Sequence, residues 1–214
     1  TVGSSSIAES VFLRIGFLIN QVIVAKISTN VYATYQIVQQ VSSLSFTVGD
    51  GLAIASTSLI GQSLGEKRKD LAKANVKITR NLSVVSAIIL MAIVFFTRKL
   101  IPRLFTDVEA VIEDASIAFI VIAVGLIPQN GRIVYSGCLR GAGDAKYVAI
   151  ISLISVTIVR PIATYIFCYP VAAMLPGMYF AVTGPWISFV IDSLLRDVLL
   201  KRRIDQGKWL DIKL

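Results

Sequence analysis

The 214-residue chain contains no histidine. That absence removes imidazole as a general base, as the partner of a serine or cysteine nucleophile, and as a metal ligand. Cysteine is nearly missing as well. Cys138 and Cys168 stand 30 residues apart in apolar surroundings, which fits packing better than a disulfide or half of a zinc site. Charge is scarce: Asp, Glu, Lys and Arg make up 16% of the chain, against about 25% in a soluble domain. Acids are the rarer sign, 13 against 21 basic residues, for a net charge of +8. On a wetted face with exposed aromatics that excess would read as a nucleic-acid surface, but so oily a chain has little such face, and no nucleic-acid partner is expected. No nucleophile–base pair or metal cluster emerges, so neither an enzyme, nor a catalytic residue, nor a bound cofactor or metal is expected. Residues 1–6 are uncharged, unlike the start of a secretory leader, so none is expected here, and the chain starts without Met. It is expected to begin inside a longer protein.

What the chain does have is apolar length. Hydrophobic residues reach 55% and mean hydropathy is +0.75. A bilayer core is crossed by about 20 mostly apolar residues, and six runs approach or exceed that measure: about 5–25, 32–60, 82–97, 115–139, 147–169 and 179–195. They predict an all-α membrane protein, a six-helix transmembrane lobe over 1–200 followed by a basic cytoplasmic tail over 201–214. Gly61-Gln62-Ser63-Leu64-Gly65 closes the second run, with glycine available for a left-handed cap. The charged stretch Glu66 to Asp70 continues through Lys73, Lys77 and Arg80, a spacing that puts basic residues on one face of an amphipathic lead-in helix along the membrane surface. Arg140-Gly141-Ala142-Gly143-Asp144 makes the turn between the fourth and fifth runs. Six spans place both ends on one side. That side holds fourteen basic residues and the opposite side four, with Arg14, Arg132 and Arg160 inside spans. The bias predicts both termini in the cytoplasm.

Polar groups inside spans are expensive and mark function by default. In the second run Gln36, Gln40, Ser43, Thr47 and Asp50 step by 4, 3, 4 and 3, with Tyr32 one turn earlier, so all share one helical face. This stripe reads as the wall of a wet cavity, with helix–helix hydrogen bonding as the plainer alternative. Glu9, Gly16 and Asn20 repeat the pattern more weakly in the first run. Gln129, Arg132 and Ser136 follow Pro128 in the fourth, and Thr157, Arg160 and Thr164 surround Pro161 in the fifth; both prolines predict bends, either at a cavity wall or as static kinks. Asp192 and Arg196 read as an ion pair near the membrane surface at the inner end of the sixth run. The acidic group Asp107, Glu109, Glu113 and Asp114 reads as a solvated loop leading into a negatively charged first helical turn.

Three motifs in register carry a family resemblance. Leu59-Ile60-Gly61-Gln62-Ser63-Leu64-Gly65, preceded by Gly51-Leu52-Ala53-Ile54-Ala55, resembles the glycine-glutamine turn of the multidrug and toxic compound extrusion (MATE) family. Gly137-Cys138-Leu139-Arg140-Gly141-Ala142-Gly143-Asp144 is similar to its leucine-arginine-glycine-x-glycine-aspartate turn, and Ser6-Ile7-Ala8-Glu9-Ser10 with Arg14, Gly16 and Phe17 to its first helix. Their order resembles the C-terminal half of such a transporter. The resemblance implies one lobe of a twelve-helix antiporter that exports amphipathic or cationic compounds in exchange for protons or sodium ions. The implied partners are a small-molecule substrate, membrane lipid, and either an N-terminal six-helix lobe or a second copy of the chain. The implied location is the plasma membrane, in bacteria the inner membrane. It also implies, for sodium-coupled members, a carboxylate eleven residues before the turn arginine; that position is Gln129 here, and Glu9 stands about one turn early of the partner glutamate. Asp50 and Glu9 are therefore the candidates for cation or proton coupling. Tyr32, Gln36, Gln40, Thr47, Gln129, Arg132 and Arg160 are the candidates for a substrate cavity. The three intraspan arginines keep open a lipid-linked oligosaccharide flippase of the same superfamily, and a dry, packed stripe would mean a non-transporting membrane scaffold.

Overall fold

Apolar runs without internal breakers become long helices. The computed structural model describes the backbone of residues 2–174 and 179–212 and the side chains of 14–174, 179–210 and 212. Among the described residues there are six long helices and no strand: α1 Val2–Ala25, α2 Thr29–Gly65, α3 Lys69–Thr97, α4 Glu109–Gly141, α5 Ala145–Met174 and α6 Phe180–Asp205. Single turns lie at Leu100–Arg103 and Lys208–Asp211. Helices α2 to α5 are long and apolar enough to cross a membrane, and α1 contributes the apolar stretch Arg14–Ala25. The 37 residues of α2 extend about 55 Å, well beyond a hydrocarbon core of about 30 Å.

The helix ends show how the turns work. Ser28 caps α2 by accepting the Val31 N–H at 3.2 Å. At its far end the Lys67 N–H donates to Leu64 O and the Arg68 N–H to Ser63 O, both at 2.9 Å, a Schellman closure. The left-handed residue there is Lys67, at φ 58°, and not the glycine expected from the sequence. The end of α4 closes the same way, with the Asp144 N–H on Leu139 O at 2.8 Å and Gly143 at φ 83°. Asp144 then accepts Arg203 Nε at 2.7 Å, and the Arg203 guanidinium lies 4.8 Å from the Tyr147 ring centroid. The turn aspartate thus ties the end of α6 to the start of α5.

The expected surface lead-in is not a separate helix. Residues 70–82 hold neither Gly nor Pro, so α3 runs unbroken from Lys69 to Thr97, and Lys73, Lys77 and Arg80 sit on its first turns. The expected tail also differs. Helix α6 continues to Asp205, and Trp209 folds back, buried, with its Nε1 donating to Ile204 O at 2.9 Å. An indole that finds both an apolar bed and an acceptor returns its segment to the bundle. Pro128 lies inside the continuous α4. In α5 the ladder widens into π turns at Ser155–Val159, just before Pro161, and at Phe167–Val171, which contains Pro170; a proline withholds its N–H from the ladder.

Helix α4 is the spine, packed against α2, α3 and α6. One apolar cluster gathers Tyr35, Phe119, Trp186 and Phe189; the other gathers Ile60, Leu139, Leu200 and Trp209. Along the seam with α2, Thr57 Oγ1 donates to Gly137 O at 2.9 Å. A Cβ on Gly137 would stand 2.5 Å from Ala53 O, and one on Gly141 2.4 Å from Thr57 O. The two backbones touch because both positions lack side chains, the small-residue packing of membrane helices.

Candidate functional site

The α2 stripe lies on the outer surface of the lobe. Gln36, Gln40, Thr47 and Asp50 are exposed, while Tyr32 and Ser43 are half-buried. The opposite face of the helix, with Tyr35, Val38, Val41 and Ser45, enters the core. Gln36 Nε2 donates to Tyr32 Oη at 2.7 Å. Ser43 and Thr47 turn their hydroxyls back onto Gln40 O and Ser43 O, at 2.6 and 3.1 Å, so the amides of Gln36 and Gln40 and the carboxylate of Asp50 are the main polar groups this face presents outward. Where α2 meets the rest of the lobe, Asp50 and Arg132 line one cavity of about 210 Å³ with Phe17, Phe46, Ser136, Arg140 and Arg196. The Arg132 guanidinium lies 5.5 Å from the Phe46 ring centroid, and its Nε donates to Ser193 Oγ at 3.3 Å.

Behind this cavity is a buried charge cluster. Asp192 is 0% exposed. It pairs with Arg196 and accepts the Ser155 hydroxyl, and Arg132 and Arg160 lie within its electrostatic reach. Arg160 is sandwiched between aromatic faces, 5.3 Å from the Phe17 centroid and 4.7 Å from that of Phe189. One carboxylate therefore serves three guanidiniums drawn from α4, α5 and α6. The expected Asp192–Arg196 pair forms, and it is buried within the bundle because the face of α6 that carries it packs on α4. A second linkage crosses the spine nearby. Arg80 Nη2 of α3 meets Asp197 Oδ2 of α6 at 3.3 Å over Gly131, with the guanidinium 5.1 Å from the Tyr135 centroid; a Cβ on Gly131 would fall 1.8 Å from Arg80 Nη1.

The MatE family model matches residues 6–166, well over half of the chain. The chain belongs to the MatE family. It is 27% identical over 209 residues to the probable multidrug resistance protein NorM of Pasteurella multocida, covering 92% of this chain and 42% of that protein. Solved structures of a multidrug resistance MATE family transporter of the MOP superfamily superpose on it in both states, outward-facing with a TM-score of 0.82 at 17% identity and inward-facing with 0.83 at 18%. Both comparisons cover 99% of this chain, and 46% and 48% of those chains. A MOP superfamily transporter from Pyrococcus furiosus, described as having a binding pocket of reversed polarity, matches with a TM-score of 0.84 at 16% identity over 99% of this chain and 46% of that one. The chain thus spans less than half the length of the relatives it matches, and its six helices form an all-α membrane lobe of MatE type.

The MatE lobe scatters the remaining candidates. Gln129 is wholly buried beside the equally buried Asn130, and all four amide atoms lack a hydrogen-bond partner among the described residues. Neither lines the cavity that holds Asp50 and Arg132. Glu9 falls on α1, but its side chain lies outside the described residues. Two residues that the sequence reading passed over, Gln21 and Gln39, join Arg14 and Tyr35 around a second space of about 390 Å³ between α1 and α2. Their signal was available in the seven-residue step from Arg14 to Gln21 and the four-residue step from Tyr35 to Gln39, each of which keeps one helical face.

Proposed function

We propose that the chain is one lobe of a secondary antiporter that exports amphipathic or cationic drugs in exchange for protons or sodium ions. Its basic end faces the cytoplasm, in bacteria from the inner membrane, and its partner is an N-terminal six-helix lobe or a second copy of the chain. The observation that carries the reading is the α2 stripe, which turns amides and a carboxylate outward from a membrane lobe. Hydrocarbon offers such a face no hydrogen bonds, whereas a water-filled cavity between two lobes does. Asp50 closes the stripe within reach of Arg132, so cation or proton binding at Asp50 changes the field on the cavity wall. Equal likeness to outward- and inward-facing structures supports a lobe that moves as one body while the motion occurs between lobes. Export is driven because cation and drug prefer different states.

Asp50→Asn in the complete transporter is expected to lower gradient-driven ethidium efflux about tenfold, equivalent to about 1.4 kcal/mol of differential cation affinity. Efflux assayed under separately imposed sodium and proton gradients identifies the ion. Wild-type efflux by the variant under both gradients would exclude Asp50 from coupling. One observation favours a second reading: Arg132, Arg140 and Arg196 outnumber Asp50 around the same cavity. That polarity suits a substrate with a phosphate or carboxylate, such as a lipid-linked sugar pyrophosphate, and the Pyrococcus furiosus relative bears on the same alternative. A translocation assay with a lipid-linked oligosaccharide separates it from drug export.

A further inference from the structure

A groove on the far side of α4 from the α2 stripe has no part in that function. Its walls are α3 and the end of α6, its floor includes Tyr135, and its volume is about 380 Å³. Lys73, Lys77 and Arg80 line it at steps of four and three residues, and Asp205 is the one acid among its lining residues. Arg80 is neutralised by Asp197 across the floor. Lys73 and Lys77, both exposed, leave the groove with a positive excess over Asp205. Asn81 and the backbone around Gly207 add hydrogen-bonding capacity beside the buried Trp209.

The depth of the groove follows from the helix. Arg98 and Lys99 mark the outer end of α3, and about 20 residues span a bilayer core. Counting back from Thr97 reaches Ile78. Lys73 and Lys77 therefore stand at headgroup level, and the apolar part of α3 begins directly beyond them. The face that carries Lys77 and Asn81 continues as Val85 and Ile88, which are 56% and 46% exposed, and the flank presents Ile78, Leu82 and Ile89 at 52–55%. This helix turns outward an unbroken apolar surface where α2 turns outward polar side chains, so α3 faces lipid.

We propose that this groove binds the phosphate headgroup of an anionic phospholipid, with Lys73 and Lys77 on the phosphate and an acyl chain along Val85 and Ile88. The basic charge selects the headgroup, and the continuous apolar strip is what a free phosphate would leave unused. Bound there, the lipid bridges α3 and the returning Trp209 segment. It adds to the Arg80–Asp197 pair between α3 and α6 and to the apolar cluster that Val76 shares with Trp209.

The test uses the purified complete transporter in neutral detergent. Native mass spectrometry and thermal unfolding are run with phosphatidylglycerol, with phosphatidylcholine and with inorganic phosphate alone. Phosphatidylglycerol is expected to be retained and to raise the unfolding midpoint, and neither alternative probe to do so. Lys73→Ala/Lys77→Ala should weaken retention about thirtyfold, from about fivefold for each lysine near an anionic surface. Lys73→Arg/Lys77→Arg should keep retention, and Lys201→Ala/Arg202→Ala, which removes the same charge elsewhere at the basic end, should leave it unchanged. Equal retention by the alanine pair, or loss of it by the Lys201/Arg202 pair, would overturn the site. A midpoint shift given equally by inorganic phosphate would overturn the lipid in favour of a free anion. The mass spectrum reads occupancy directly, so a variant of lower stability is still informative.

Discussion

Gly141→Ala in the complete transporter lowers stability by about 3 kcal/mol, at the upper end of what overpacking costs, and Gly137→Ala comes close to it. The added Cβ at 141 meets Thr57 O at 2.4 Å and Thr57 Cα at 2.9 Å, and at 137 it meets Ala53 O at 2.5 Å and Ala53 Cα at 2.8 Å. These are backbone atoms. No rotamer can move away, so α2 and α4 must separate along their whole contact, and the Thr57 bond to Gly137 O lengthens with them. Because the two glycines share one seam, the double variant falls short of the sum of the singles. Gly51→Ala supplies the opposite sign. Nothing lies within 4 Å of its Cβ and the residue is exposed in mid-helix, where alanine gains up to about 1 kcal/mol of helix propensity over glycine. Thermal unfolding midpoints in one detergent order the set, with Gly51→Ala at or above wild type and both seam variants far below. A Gly141→Ala protein as stable as wild type would show that the backbones do not touch there.

The same pair of glycines shows what a sequence can and cannot disclose. Their place in a turn motif was legible, but the reason for them was not, since it lies in residues 53 and 57 of another helix. The six helices were legible because each is a mostly apolar run of sixteen or more residues that ends at charge, glycine or proline. The stripe from Gln36 to Asp50 was legible because helical periodicity is local. Which face of α6 meets α4 is a tertiary fact, so the pairing of Asp192 with Arg196 was legible and its burial was not. Trp209 was hidden for the same reason, counted with a basic tail whose lysines and arginines outweigh one indole. At Lys67 local preference gave way: the left-handed cap fell on a lysine with Gly65 two residues earlier, because Ser63 and Leu64 are the carbonyls that the closure satisfies.

Asp192→Asn is the most damaging conservative change expected outside the seam, at about 3–5 kcal/mol. Asparagine keeps the shape and can still accept the Ser155 hydroxyl, so the change isolates charge. Without the carboxylate, Arg196 and Arg160 lose the acid they share, and Arg132 keeps only the more distant Asp50 and Asp197 within electrostatic reach. Their other partners are Ser193 and the faces of Phe46, Phe17 and Phe189. An aromatic face gives a guanidinium about 0.5–2 kcal/mol, well below the several kcal/mol that desolvating a charge costs. Ser155→Ala, which removes one hydrogen bond to the same carboxylate, should cost only about 1.5–3 kcal/mol. Asp192→Asn/Arg196→Gln removes one charge of each sign and should recover part of the loss, though not all, because Asp192 also offsets Arg132 and Arg160. Unfolding midpoints of wild type, Asp192→Asn, Arg196→Gln and the double variant close a double-mutant cycle whose coupling measures the pair alone. If the double variant were no more stable than Asp192→Asn, Arg196 would not depend on this carboxylate. If Asp192→Asn matched wild type, the three arginines would be drawing their compensation from the water of the neighbouring cavity, and the cluster would belong to that wet space instead of the protein core.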